Sequence, residues 1–176
     1  RWQQLGLPTS FEGVAINISP YQLLQERFSV HLLKRLDELG LRCDLLKIEI
    51  TENALIANVD RTSVQLARLR DCGIRVSLDD FGIGYSSMSY LQQLPVDQLK
   101  IDRSFIWNMH SNPAALAIVQ TIITMGQSLS MQVVAEGVET LEQQQQLVSM
   151  GCNALQGFFL QIPMTFTDTE AFLKAG

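Results

Sequence analysis

The chain has 176 residues, 47% of them hydrophobic and 18% charged, which is enough apolar material for one folded core and argues against disorder. A net charge of −5 with no basic run argues against a nucleic-acid polymer as partner. No apolar run reaches the roughly 18 residues of a spanning helix, and the three widely spaced cysteines (Cys43, Cys72, Cys152) form no metal or redox motif and read as reduced thiols.

Residues 1–13 read as a helix end and a loop, broken by Gly6, Pro8 and Gly13. The chain opens on Arg1-Trp2 rather than Met, and is expected to be a piece of a larger polypeptide. A strand, "VAINIS" (14–19), follows. Ser19-Pro20-Tyr21-Gln22 then reads as a capped helix start, with Leu24, Phe28, Leu32, Leu36 and Leu39 as one stripe and Gly40 as the stop. The unit recurs. Strand 45–51 precedes a helix near 60–72, strand 75–80 a short helix near 86–93, and strand 98–104 a helix near 113–129. Strand 132–138 precedes a helix near 141–150, and strand 155–161 a last helix near 168–175. The Gln143–Gln146 run is expected to be a solvated helix face.

Six alternating βα units predict a parallel sheet with helices on its faces. Alternation selects between an open doubly wound sheet and a barrel. Ile48 and Ile50 oppose Lys47 and Glu49, and Leu99 and Ile101 oppose Lys100 and Asp102. A sheet covered on both faces is apolar on both. One apolar face, with polar residues toward the C-terminal strand ends, fits a (β/α)8 TIM-like barrel, here about six of its eight βα units.

Asn17, Glu49, Asp79, Asp80, Lys100, Glu136 and Gln156 fall at strand ends. Four carboxylates and an amide oxygen suit Mg²⁺, Mn²⁺ or Ca²⁺ rather than zinc. The adjacent Asp79 and Asp80 can bridge two cations, the arrangement used for phosphoryl displacement. Lys100 can stabilise a developing oxyanion or orient water, and Gln156 can position water or substrate. Glu52 and Glu139, each three residues past a proposed ligand, read as support for the metal loops. The letters "DFG" at 80–82 come without the other kinase signatures, and Gly82-x-Gly84 is no dinucleotide fingerprint.

These residues resemble the EAL domains, bacterial phosphodiesterases of cyclic di-GMP. The matching pieces are "NISP" (17–20), "EITEN" (49–53), "DDFGIGYSS" (79–87), "LPVDQLKIDRSF" (94–105), "VVAEGVET" (133–140) and "QGFFLQIP" (156–163). The resemblance implies a (β/α)8-type barrel and hydrolysis of cyclic di-GMP to linear pGpG with two Mg²⁺ or Mn²⁺ ions. It implies Asn17, Glu49 and Asp79 as ligands of one metal and Asp79, Asp80 and Glu136 as ligands of the other. It sets Lys100 near the nucleophilic water, Gln156 near water and metal, and Glu52 against the loop after the paired aspartates. Two departures stand out. The Glu-Ala-Leu motif that names the family is absent, so residues 1–176 are expected to form the C-terminal part of the domain without its first two βα units. Ile83 also stands where the family usually has threonine, in a loop tied to dimerisation and control. The expected partners are cyclic di-GMP, a second copy in a full-length homodimer, and upstream sensory or GGDEF-type domains. The expected location is cytoplasmic, in a parent that membrane anchoring would also suit. The alternative is a catalytically inactive cyclic di-GMP receptor or regulatory module; a weaker one is a metal-dependent barrel acting on another phosphodiester.

Overall fold

The structure is a computed structural model that describes residues 8, 11–52, 54, 58–83 and 91–175. Six strands form one sheet: β1 (Val14–Asn17), β2 (Leu46–Thr51), β3 (Arg75–Phe81), β4 (Gln98–Ile101), β5 (Gln132–Ala135) and β6 (Ala154–Leu155). Each pairs in parallel with its neighbour in sequence, in the order β1-β2-β3-β4-β5-β6. A doubly wound sheet would reverse this order at a switch point. An order that never reverses, with right-handed crossovers, places every helix on one face. The sheet is therefore a curled arc of a TIM-like α/β barrel, with the helices outside.

The helices are α1 (Pro20–Leu23), α2 (Phe28–Glu38), α3 (Val59–Asp71), α4 (Arg103–Asn108), α5 (Pro113–Ser128), α6 (Leu141–Ser149) and α7 (Phe166–Ala175). Their starts follow from local chemistry. Ser19 and Thr140 make capping boxes with Gln22 and Gln143, and Asn58 and Asn112 accept from Arg61 N and Ala114 N. The core lies between sheet and helices. Ile48, Ile50, Val76, Leu78, Leu99, Ile101 and Val133 are fully buried against side chains such as Leu66, Leu69, Val119, Ile123 and Leu147. Burying each such side chain contributes roughly 1.5–3 kcal/mol.

The opposite face is polar. Ser77 Oγ donates to Gln98 Oε1 at 3.1 Å, and Gln98 Nε2 donates to Gln132 Oε1 at 3.3 Å, which forms a ladder across β3, β4 and β5. The three residues are register partners in the sheet.

Several expectations are corrected. The helix expected from residue 20 to 39 is two pieces. Gln65 of α3, buried at 4% exposure, donates to Leu23 O (2.6 Å) and Gln25 O (2.9 Å) and accepts from Ser29 N (3.0 Å). Its amide satisfies the backbone groups that the break leaves open. Strand β4 stops at Ile101 because Asp102 caps α4, an unexpected helix, by accepting from Ser104 N at 2.8 Å. Strand β5 stops at Ala135, before Gly137 turns with φ +70°. Strand β6 is only two residues long. Beyond it the chain curls, with Phe159 N donating to Val138 O and Leu160 N to Gly157 O. The glutamine run is solvated only in part: Gln145 is exposed, while Gln143 is buried and donates to Ile106 O at 3.2 Å. The helix expected near 86–93 falls largely outside the described residues. No described helix is long and apolar enough to cross a membrane.

Candidate metal centre

The C-terminal strand ends bring charge together. Strand β2 carries Glu49, β3 carries Asp79 and Asp80, β4 carries Lys100, and Glu136 follows β5 directly. The Lys100 ammonium is 4% exposed and lies 3.0 Å from Glu49 Oε1, 3.2 Å from Asp79 Oδ1 and 2.5 Å from Glu136 Oε1. Ligand oxygens of Asp79, Asp80 and Glu136 lie within 4.8 Å of one another. Asn17 is the register partner of Glu49 on β1. Gln156 sits beside the Glu136 turn, its N donating to Ala135 O and its carbonyl accepting from Val138 N.

One lysine cannot balance four carboxylates, and the shifts of Lys100, Glu136 and Asp80 reflect this. Burial works against the Lys100 charge, but the hydrogen bond to Glu136 and the charges of Glu136, Glu49 and Asp79 outweigh it and hold the ammonium above its ordinary range. Lys100 is thus a fixed cation, suited to electrostatic stabilisation rather than to proton abstraction. Glu136 is pushed up by burial first. Lys100 opposes that push, and Asp79 and Glu49 add to it. The same contact therefore favours the lysine's charge without fully relieving the carboxylate, which faces two further anions. Asp80 is also pushed up, by burial and then by Asp79 and Asp102, against Lys100 and Arg103. Its backbone is left-handed (φ 54°), and its N–H donates to Asp79 Oδ1 at 3.1 Å. Hard oxygen donors in excess negative charge are the donor set that such a cation requires, so these residues fit a hard divalent cation.

Glu52, just past β2, is buried, and neither carboxylate oxygen has a hydrogen-bond partner among the described residues. Glu139 is exposed. Sequence reasoning treated Asp102 only as part of an alternating strand. Its place two residues after Lys100 was the available signal that it also faces the carboxylate cluster. It likewise passed over Trp107, whose indole N–H donates to Gly137 O at 3.1 Å, one residue past Glu136.

A cavity of about 720 Å³ opens at the opposite, N-terminal strand ends, lined in part by Lys47, Arg75, Ser77, Gln98 and Gln132. Each of these cations already has a carboxylate partner: Lys47 and Arg75 hold Glu12, and Arg70 holds Asp97. The unbalanced charge marks the other end as the chemical one.

Residues 1–163 match the family model described as the EAL domain. The chain is 41% identical over 162 residues to the cyclic di-GMP phosphodiesterase NbdA of Pseudomonas aeruginosa, covering 92% of this chain and 21% of that protein. It thus spans about a fifth of the length of that relative. The structure overlays the EAL domain of Mycobacterium smegmatis DcpA with a TM-score of 0.92 and 38% identity, covering 100% of this chain and 78% of that one. It overlays Klebsiella pneumoniae BlrP1, solved as a manganese/cyclic di-GMP complex, with a TM-score of 0.78 and 35% identity, covering 90% of this chain and 40% of that one.

Proposed function

This chain belongs to the EAL domain family, and from that premise we propose that it is the C-terminal part of a domain that hydrolyses cyclic di-GMP to linear pGpG using two Mg²⁺ or Mn²⁺ ions. The observation that carries the reading is the convergence of Asp79, Asp80 and Glu136 oxygens around one locus, with Lys100 beside them.

Asn17, Glu49 and Asp79 would hold one cation, and Asp79, Asp80 and Glu136 the other. Bound divalent cations supply Lewis-acid stabilisation of the phosphodiester and make water a stronger nucleophile. The chain's own groups do the rest. Lys100 places a buried positive charge where negative charge develops on phosphate oxygens. Gln156 orients water or substrate from the turn beside Glu136. Glu52 braces the loop after the paired aspartates from the buried end of β2.

Two further βα units close the arc between β6 and β1 and bring the remaining metal ligand. The exposed Val14 at one edge, and Phe158, Phe159 and Ile162 at the other, support that closure. The closed domain works in the cytoplasm as a homodimer under upstream signalling domains.

The test is turnover of cyclic di-GMP by the chain extended upstream by its natural sequence, with Mn²⁺ or Mg²⁺, and chromatographic detection of pGpG. The expected result is hydrolysis that chelation abolishes and that Asp79→Asn reduces at least about a hundredfold, in line with the loss of a preorganised electrostatic group. Tight binding of cyclic di-GMP without turnover assigns the receptor role instead.

A further inference from the structure

The turn that delivers Glu136 is fixed on both flanks. Glu136 N donates to Ile101 O at 3.2 Å, and Val138 N donates to Gln156 O at 3.0 Å. Between them Gly137 adopts φ +70°, and its carbonyl accepts from Trp107 Nε1 at 3.1 Å. Among the described residues no other side chain hydrogen-bonds the backbone of 136–138. Trp107 lies four residues after Arg103 on α4, so both share one face, and the Arg103 guanidinium stands 4.9 Å from the indole centroid. A Cβ on residue 137 would fall 2.6 Å from Arg103 Cβ and 3.2 Å from Trp107 Nε1. The turn is thus pressed onto the Arg103–Trp107 face. Trp107 is 45% exposed, so core burial does not explain its placement.

We propose that Trp107, braced by Arg103, is a positioning residue for Glu136: its indole N–H holds the left-handed turn that lets this carboxylate join Asp79 and Asp80 around a divalent cation. The inference rests on the metal reading above. A turn released from α4 would have to be reordered each time a cation binds, and that ordering is subtracted from affinity.

The test is Mn²⁺ binding without nucleotide, by calorimetry, to the chain extended upstream by its natural sequence, for the wild type, Trp107→Phe and Glu136→Gln. Phenylalanine keeps a ring under Arg103 and removes the N–H. The expected result is an affinity roughly three- to tenfold weaker in Trp107→Phe, the size of one lost hydrogen bond, with an unchanged circular dichroism spectrum. Glu136→Gln loses more. Wild-type affinity in Trp107→Phe beside weakened affinity in Glu136→Gln overturns the positioning role and leaves the metal site standing. Unchanged affinity in both, or no Mn²⁺ binding by the wild type, overturns the metal reading and this inference with it. A second measurement stands even if Trp107→Phe does not fold. Residues 1–176 hold two tryptophans, so Trp2→Phe, with any tryptophan of the upstream extension also replaced by phenylalanine, leaves Trp107 as the sole indole. Its emission should shift on Mg²⁺ titration with the midpoint that a Mg²⁺ calorimetric titration of the same variant gives, and an emission indifferent to bound Mg²⁺ overturns the proposal.

Discussion

Lys100 takes its environment from strands on both sides, pairing with Glu49 of β2, Asp79 of β3 and Glu136 after β5. Removing its charge leaves three carboxylates facing one another in a half-buried site. Lys100→Met should therefore destabilise the metal-free protein by about 3 kcal/mol in urea unfolding, the usual scale for breaking a buried pair. Mg²⁺ should recover more stability in that variant than in the wild type, because its anions have no other counterion. Gly157 matters for a different reason. A Cβ there would lie 2.1 Å from Val138 O and 2.3 Å from Val138 N, both backbone atoms that cannot swing aside. Gly157→Ala should cost at least about 2 kcal/mol in the same assay, because the turn that carries Glu136 and Gln156 must move as a unit.

The break between α1 and α2 shows how far local sequence reaches. Gln65→Leu removes three hydrogen bonds that Gln65 makes with Leu23, Gln25 and Ser29. It should destabilise by roughly 2–3 kcal/mol, measured by chemical denaturation, since Leu23 O and Ser29 N lose this partner and Gln25 O keeps only Phe28 N. The cap at Ser19 was legible because it and its partner Gln22 lie within three residues, as do the caps at Asn58, Asn112 and Thr140 that the structure adds. The break was not, because its partner sits some 40 residues away on another helix. The site divides in the same way. Alternation along β2, β3 and β4 showed that Glu49, Asp79 and Lys100 share a face, since the period of two is local. Trp107 stayed hidden because its role depends on a carbonyl 30 residues on. The shortness of β6 was also hidden, because "LQGFFLQ" has strand composition while Gly157 is folded against Val138.

At the scale of the whole molecule, the described sheet ends in two unpaired edges, β1 and β6. Phe158 and Ile162, just past β6, and Phe166 and Phe172 of α7 are all more than half exposed. Such a surface predicts association. Purified 1–176 should show little turnover and should self-associate with concentration in sedimentation velocity, while the chain extended upstream should be active and better behaved. Robust hydrolysis by 1–176 alone would show that the arc suffices. Acid stability is set partly at the other end of the strands. The Lys47 hydrogen bond and charge, helped by Arg75, hold the Glu12 carboxyl below its usual 4.5. Its folded pKa is therefore below its unfolded one. The stability it contributes is present above the unfolded value and lost as pH falls through the folded one. Glu12→Gln should flatten the pH dependence of urea unfolding below about pH 4.5, by less than about 1 kcal/mol given its exposure.

The Ser77–Gln98–Gln132 ladder also bears on how the chain finds its fold. Parallel strands assemble slowly, through contacts distant in sequence. A slip of one residue in β3, β4 or β5 would turn Leu78, Leu99 or Val133, now fully buried against helices, toward the polar interior. The same slip would carry one rung of the ladder under the helices without its partner. The three rungs therefore act as a register lock. They penalise a one-residue slip in β3, β4 or β5 twice, and they hold those strands at the stagger in which Asp79 and Glu136 reach Lys100.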